Sequence, residues 1–170
     1  MTLPPLYLQL AGPAARPSGH PGHAFVLPEL AVGEYPTPDD AVWLRQRPGI
    51  DAVVSLQDDI DLERKGLDLR ALEVAYAAQG IAFHRIPVTD GEAEMLRAHI
   101  DALVSLLDGL LRAGRRVYLH CNAGLNRAPT VAIAYLHVHR GHRLDAARDL
   151  VKARRPCVPF MRMLAAHYGG

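Results

Sequence analysis

Residues 116 to 130 read RVYLHCNAGLNRAPT, and this stretch decides the fold prediction for the whole chain. The run from Val117 to Leu119 is β-branched and aromatic, which is typical of a buried strand. Pro129 suits the first turn of a helix, where a missing N–H leaves no partner unsatisfied, and the helix is expected to end at Gly141. The stretch therefore predicts a strand, a short loop and a helix N-terminus in direct succession.

The predicted loop contains Cys121 and, six positions later, Arg127. Free N–H groups and the helix dipole favour anions at a helix N-terminus, and both a thiolate and a phosphate are anions. Gly124 allows the loop to curl so that its amides converge on one point. We therefore expect Cys121 to act as a reactive thiolate and Arg127 to hold a phosphate with its planar guanidinium.

Each of these two residues has a plainer interpretation. A free cysteine is most often an inert buried residue, but Cys121 coincides with an arginine, a glycine and a helix start. Arg127 could be an ordinary surface cation, yet a cation at a helix N-terminus opposes the dipole unless it binds an anion. The combination favours a nucleophile and its phosphate clamp.

The pattern of His120 and Cys121, five further residues and Arg127 resembles the signature loop of the cysteine-dependent phosphatases, most closely the dual-specificity branch. Within that branch, the sequence CNAGL from Cys121 and RAP from Arg127 are similar to the glucan phosphatases of the laforin and plant starch phosphatase type. The similarity extends from about Val53 to about Pro159, and no carbohydrate-binding module is recognisable in the remaining residues. Other segments that contribute to it are LQD (56–58), GLD (66–68) and KARRP (152–156).

The resemblance implies a phosphatase fold and a reaction through a phosphocysteine intermediate, with no cofactor and no metal. Asp90 resembles the acid-loop aspartate of the family, on a loop that follows a predicted strand. A general acid is needed there because the leaving oxygen must receive a proton. Glu92 and Asp58 are the other candidates, and Asp90 could also be a plain loop-capping residue. Besides the catalytic set of Cys121, Arg127 and Asp90, the expected substrate-binding residues are His120, Asn122, Ala123, Gly124, Leu125 and Asn126.

The loop departs from the family pattern at two positions. Ala128 stands where most relatives carry Ser or Thr, although glucan phosphatases are similar in this respect, and Thr130 is the candidate for a replacement hydroxyl. Asn126 stands where Gly is common, and Asn tolerates a left-handed φ less well than Gly. These departures leave open a second function class, a pseudophosphatase that binds phosphate without turning it over.

The substrate is less constrained than the reaction. The variable loop positions Asn122, Ala123, Leu125 and Asn126 are uncharged, which favours a singly phosphorylated substrate over an inositol phosphate. The resemblance implies a phosphoprotein or a phosphoglucan as the partner. Among the few aromatic residues of the chain, only Phe160 is expected near the site, so aromatic sugar binding has few candidates.

Composition limits the remaining choices. A chain of 170 residues with 49% apolar content suits one domain, and a formal charge of +1 gives no reason to expect nucleic acid as a partner. We expect no signal peptide, no membrane span and a monomer. Two cysteines cannot form a disulfide framework, which favours the cytoplasm. Cys157 is interpreted as a packed residue, with reversible oxidation against Cys121 as the alternative.

Along the chain, residues 1 to 24 are rich in Pro and Gly and predict a flexible arm before a catalytic domain at 25 to 170. Asp58, Asp59 and Asp61 follow a buried strand, and capping or solvation is favoured over a metal site. Alternating strands and helices predict an α/β fold with a mostly parallel sheet flanked by helices. The predicted strands are 25–27 and 30–33 as an edge hairpin, 50–56, 81–88 and 117–119; the predicted helices are 37–48, 68–79, 92–113, 129–140, 144–154 and 158–167.

Overall fold

The structure, a computed structural model, describes residues 19 to 169. Its strands are β1 (His23–Leu27), β2 (Leu30–Gly33), β3 (Ala52–Ser55), β4 (Ala82–Arg85) and β5 (Val117–His120). Its helices are α1 (Ala41–Gln46, after a 3-10 turn at Pro38–Asp40), α2 (Asp59–Lys65), α3 (Leu69–Ala78), α4 (Ala93–Arg112), α5 (Arg127–Arg140), α6 (Leu144–Arg154) and α7 (Met161–Tyr168).

The five strands form one sheet in the order β1-β2-β5-β3-β4. β1 and β2 are antiparallel at one edge, and the other three pairings are parallel, so the predicted edge hairpin and the mostly parallel α/β sheet are both confirmed. In the parallel register, His120 lies between Gly33 and Ser55. The loops that follow β2, β5 and β3 therefore leave the sheet side by side, at its carboxyl edge.

Each face of the sheet has its own core, because neighbouring side chains of a strand point to opposite faces. In β5, Val117 and Leu119 pack into the larger core with α4, α5, α6 and α7. Tyr118 packs on the other face with side chains of α1 and α3. Helix α5 is buried over its first ten residues, so its N-terminus is fixed inside the protein, at the carboxyl end of β5.

Most differences from the sequence prediction lie at element ends. The strand predicted at 81–88 ends at Arg85, although Val88 still donates its N–H to the Leu56 carbonyl at 3.0 Å beside the sheet. Helix α2 was not predicted, since the acidic run at its start was interpreted as a loop. It begins with a reciprocal cap, in which the Asp58 side chain accepts the Asp61 N–H at 2.8 Å and Asp61 accepts the Asp58 N–H at 3.0 Å.

The predicted arm falls mostly outside the described residues, which begin at Gly19. Within residues 19 to 24, the His20 ring stacks on Trp43 with centroids 4.4 Å apart, and His23 already belongs to β1. The packed part of the chain thus begins before residue 25. Over residues 19 to 169, none of the helices combines the length and the apolar character needed to cross a bilayer.

Candidate active site

The loop between β5 and α5, residues 121 to 126, curls tightly at Gly124. Gly124 has φ +67°, and a Cβ built there would lie 2.5 Å from the backbone of Gly33. This close approach to the end of β2 requires glycine at position 124 on two grounds, conformation and space. The curl that the sequence predicted is therefore present.

A second group of contacts holds the loop from the outside. The buried Arg155 donates from Nε to the Gly124 carbonyl at 2.9 Å and from Nη2 to the Ala123 carbonyl at 2.7 Å. Val158 donates its N–H to the Leu125 carbonyl at 2.6 Å and accepts from Asn126 Nδ2 at 2.6 Å. The connection between α6 and α7 thus clamps the loop, because it satisfies carbonyls that the curl turns away from the cavity.

His120 and Asn122 fix the start of the loop. His120 is buried at the end of β5, and its Nδ1 donates to the Cys121 carbonyl at 2.9 Å. The Asn122 side chain accepts from Gln57 Nε2 at 2.9 Å and donates to Asp61 Oδ1 at 2.8 Å. Asn122 therefore connects the loop to the segment after β3 and to α2.

Arg127 is buried at the first position of α5, with its side chain 1% exposed. Its Nη1 donates to Asp61 Oδ2 and to the Val88 carbonyl, both at 2.7 Å. Among the described residues, Nε and Nη2 make no hydrogen bond, although both are buried. Buried donors without a hydrogen bond are rare, and these two form the edge with which a guanidinium binds an oxyanion in a bidentate manner.

Asp61 and Arg127 perturb each other. Burial alone would raise the pKa of Asp61, but the Arg127 guanidinium, together with the Asp58 N–H and the Asn122 amide, lowers it. Burial would likewise lower the pKa of Arg127, but the charges of Cys121 and Asp61 raise it. The ion pair is thus charged on both sides and locks the guanidinium in one orientation.

The three candidate acids lie in different places. The exposed Asp90, on the loop between β4 and α4, places Oδ1 3.4 Å from Arg127 Nε and lines the cavity. Asp58 caps α2, and Glu92 is the residue before α4; neither lines the cavity. Of the three, only Asp90 is positioned to reach a group bound by Arg127.

These residues surround a cavity of about 710 Å³. Seven of the nine predicted site residues line it: Asp90, Cys121, Asn122, Ala123, Leu125, Asn126 and Arg127. The other two, His120 before the loop and Gly124 within it, do not line the cavity but shape the loop. Phe160 lines the cavity, as expected. The lining residues that the sequence did not point to are Asp61, Arg64, Lys65, Gly91 and Val158.

The structure describes the surroundings of the two loop positions that depart from the family pattern, Asn126 and Ala128. Asn126 has φ −127°, outside the left-handed region, so its backbone conformation does not require Gly. Ala128 is fully buried in the same core cluster as Cys121. The Thr130 hydroxyl donates to the Asn126 carbonyl at 2.8 Å and accepts the Phe160 N–H at 2.9 Å, so its hydrogen is committed to the helix start.

Two further features of the described residues concern metal ligands and the second cysteine. Residues 19 to 169 contain no cluster of His, Cys, Asp and Glu side chains that could hold a metal ion. Cys157 is half-buried against the main core, and burial raises the pKa of its thiol. That environment suits a packed residue better than a reactive one.

Comparisons with known proteins agree with this geometry. The family model described as "Dual specificity phosphatase, catalytic domain" matches residues 36–168. The chain is 37% identical over 138 residues to phosphoglucan phosphatase DSP4, amyloplastic, of Castanea sativa, covering 79% of this chain and 36% of that protein. It is 31% identical over 147 residues to dual specificity protein phosphatase 2 of Homo sapiens, covering 84% and 42%.

Solved structures show the same fold. The crystal structure of Tk-PTP in the active form superposes with a TM-score of 0.71 at 25% identity, covering 86% of this chain and 96% of that one. Human DUSP28 superposes with a TM-score of 0.63 at 26% identity, covering 86% and 90%. The fold is that of a dual-specificity-type phosphatase domain.

The chain belongs to the dual specificity phosphatase family. It spans 36% and 42% of the lengths of the two curated relatives named above.

Proposed function

We propose that this protein hydrolyses phosphate monoesters through a phosphocysteine intermediate on Cys121. The observation that carries the proposal is one edge of the Arg127 guanidinium, whose Nε and Nη2 are buried and make no hydrogen bond among the described residues, although Asp90 Oδ1 lies 3.4 Å from Nε. Burial of these donors is costly unless they bind an anion during the working cycle. The cavity beside that edge is also lined by Cys121, so a bound phosphate would lie next to a sulfur nucleophile.

In the first step, the Cys121 thiolate attacks phosphorus, the S–P bond forms and the P–O ester bond breaks. Arg127 and the loop amides bind the oxygens that gain negative charge in the transition state, which is a form of preorganised electrostatic stabilisation. The Asp61 bond to Arg127 fixes the guanidinium before substrate arrives, so little reorientation is needed. The protein reaches the transition state with its donors already aligned.

Asp90 transfers the protons in this scheme. As an acid it protonates the leaving oxygen in the first step, and as a carboxylate it then accepts a proton from the water that attacks phosphorus. The S–P bond breaks in the second step, releasing inorganic phosphate and restoring the thiolate. Asp90 lines the cavity and its side chain is 61% exposed, so a leaving group bound by the site and a water molecule could each reach its carboxylate.

We propose a phosphoprotein as the substrate, with a phosphoglucan as the second candidate. The cavity is lined by a single aromatic residue among those described, Phe160, which offers little stacking surface for a sugar chain. The glucan candidate rests on the 37% identity to a protein named as a phosphoglucan phosphatase. A cytoplasmic location and a monomeric state stay predictions from the sequence.

The test measures release of para-nitrophenol from para-nitrophenyl phosphate by the wild-type protein and by Cys121→Ser. The proposal predicts turnover that vanadate inhibits and that the substitution abolishes. A wild-type protein that binds vanadate without turnover would instead establish the pseudophosphatase. Phosphate release from phosphotyrosine peptides, phosphorylated amylopectin and inositol phosphates then ranks the substrate classes.

A further inference from the structure

The loop between β4 and α4, which carries Asp90, has little packing of its own. Three successive residues are exposed there, Asp90, Gly91 and Glu92. Gly91 has φ +80°, and among the described residues no atom lies within 4 Å of the place where its Cβ would be. Side-chain burial therefore contributes little to the position of the Asp90 carboxylate, which depends on the backbone bonds of residues 88 to 92.

The backbone at the start of this loop is firmly anchored. The buried Val88 donates its N–H to the Leu56 carbonyl at 3.0 Å, and its own carbonyl accepts Arg127 Nη1 at 2.7 Å. The first bond attaches the loop to the segment after β3, and the second attaches it to the arginine proposed to bind phosphate. Val88 is thus a fixed point two residues before the proposed general acid.

The backbone after Asp90 is closed by a turn. Glu92 donates its N–H to the Thr89 carbonyl at 3.2 Å, and the buried Leu96 of α4 donates to the Glu92 carbonyl at 3.1 Å. These bonds connect the end of the loop to α4. Among the described residues they leave the Thr89 N–H, directly before Asp90, without a backbone acceptor.

The acceptor of that N–H is a methionine side chain. The Thr89 N–H donates to Met95 Sδ at 3.2 Å. Met95 is the third residue of α4 and is 42% exposed, so burial contributes less to its position than it does for a core methionine. A thioether sulfur is a weak acceptor, but here it completes the hydrogen bonding of the residue that precedes the acid.

We infer that Met95 is a positioning residue for the general acid, because its sulfur holds the Thr89 N–H and so sets the place from which Asp90 meets the leaving oxygen. The inference rests on the proposed function and adds one residue to it. Met95 transfers no proton and binds no phosphate. Its loss should be felt only where the leaving oxygen needs a proton, which separates positioning of the acid from a general contribution to stability.

The experiment measures kcat/KM, which reports formation of the intermediate, on an alkyl phosphate and on para-nitrophenyl phosphate. Met95→Leu keeps nearly the volume of the side chain and removes the acceptor. Met95→Gln is the rescue variant, since its amide oxygen can accept the same N–H. Met163→Leu is the matched control, because it removes the sulfur of a methionine that lies in the main core.

We expect Met95→Leu to lower kcat/KM on the alkyl phosphate by about three- to tenfold, the factor that corresponds to the loss of one hydrogen bond of ordinary net strength. The loss on para-nitrophenyl phosphate should stay below about twofold, since its leaving group needs no acid. Met95→Gln should recover most of the activity on the alkyl phosphate, and Met163→Leu should affect both substrates equally. Amide hydrogen exchange at Thr89, followed by NMR, should be faster in Met95→Leu protein than in wild type.

Equal losses on the two substrates, no loss on either, a Met95→Gln protein as impaired as Met95→Leu, or unchanged exchange at Thr89 would overturn the inference. Asp90→Asn is measured in parallel as the reference for loss of the acid. If Asp90→Asn shows the dependence on the leaving group and Met95→Leu does not, the inference fails and the proposed function stands. If the wild-type protein hydrolyses neither substrate, the proposed function itself fails.

Discussion

Replacing Asp61 by Asn removes one charge from the buried ion pair that orients Arg127. The Asp61 Oδ2 accepts from Arg127 Nη1 at 2.7 Å, and Oδ1 accepts from Asn122 Nδ2 at 2.8 Å. An amide has the same shape but only one acceptor oxygen, so it cannot satisfy both donors. The guanidinium is then left buried with a weaker partner, and its orientation is less well defined.

The size of the expected stability loss follows from the burial of both partners, since the Arg127 side chain is 1% exposed and the Asp61 side chain 5% exposed. Breaking a buried pair by removal of one partner costs about 3 to 5 kcal/mol. The isosteric amide keeps part of the contact, so we expect Asp61→Asn to lower the free energy of unfolding by about 3 kcal/mol. Asp59→Asn is the matched control, because its pair with Arg85 has a carboxylate 93% exposed and should contribute less than about 1 kcal/mol.

The pH dependence gives this prediction a second readout. The pKa of Asp61 is lowered in the folded protein, so its stabilising contribution is present above the unfolded pKa, near the ordinary value of 3.8. That contribution is lost as the pH falls from there through the lowered folded-state pKa. The stability difference between wild type and Asp61→Asn should therefore be full near neutral pH and shrink below about pH 3.8.

Urea denaturation followed by circular dichroism, repeated at stepwise lower pH, measures both quantities. The reasoning is refuted if Asp61→Asn and Asp59→Asn cost the same, or if the difference between wild type and Asp61→Asn does not diminish in acid. A large loss of phosphatase activity with unchanged stability would also contradict it, because the account places Asp61 in the packed core of the site.

Three further substitutions test other parts of the site. Gly124→Ala should lower the thermal midpoint of unfolding and remove most phosphatase activity, since a Cβ would lie 2.5 Å from the Gly33 backbone. The prediction is contradicted if calorimetry shows that this variant binds phosphate as tightly as the wild-type protein does. Asp90→Asn should reduce kcat/KM, which reports formation of the intermediate, by about 10² to 10⁴ on alkyl phosphates and much less on para-nitrophenyl phosphate, which needs no acid; equal losses of kcat/KM on the two substrates would remove Asp90 from the acid role. Arg155→Ala leaves two loop carbonyls unpaired, so we expect urea denaturation to give a free energy of unfolding about 1 to 3 kcal/mol lower, and steady-state kinetics to give a higher KM. An unchanged KM would show that the loop keeps its shape without Arg155.

The central part of the fold could be predicted because its signals are local. Pro129 lies in the first turn of α5 and Gly141 directly after its last residue, and the observed bounds are Arg127–Arg140. The apolar run in β5 agrees with its burial on both faces. The predicted helix at 144–154 also has the observed bounds. In each case neighbouring residues agree on the same structure, so tertiary contacts add to the local preference without overriding it.

Helix α2 and its role escaped prediction for a physical reason. Seven residues are too few to show a helical period, and its acidic start resembles a loop. The available signal was the pair Asp58 and Asp61, three positions apart, which can cap a helix reciprocally. The bond from Asp61 to Arg127 spans 66 residues and depends on the parallel packing of β3 and β5, which no local pattern encodes. Arg155 was missed for the same reason, since its partners lie 31 and 32 residues away.

The most direct test of the phosphocysteine proposal uses Asp90→Asn protein mixed with para-nitrophenyl phosphate, quenched in acid and digested for peptide mass spectrometry. The good leaving group departs without an acid, whereas hydrolysis of the intermediate lacks its base, so the intermediate should accumulate. We predict one phosphoryl group, located on Cys121. No phosphorylated peptide, a phosphoryl group on another residue, or continued turnover by Cys121→Ser protein would contradict the account.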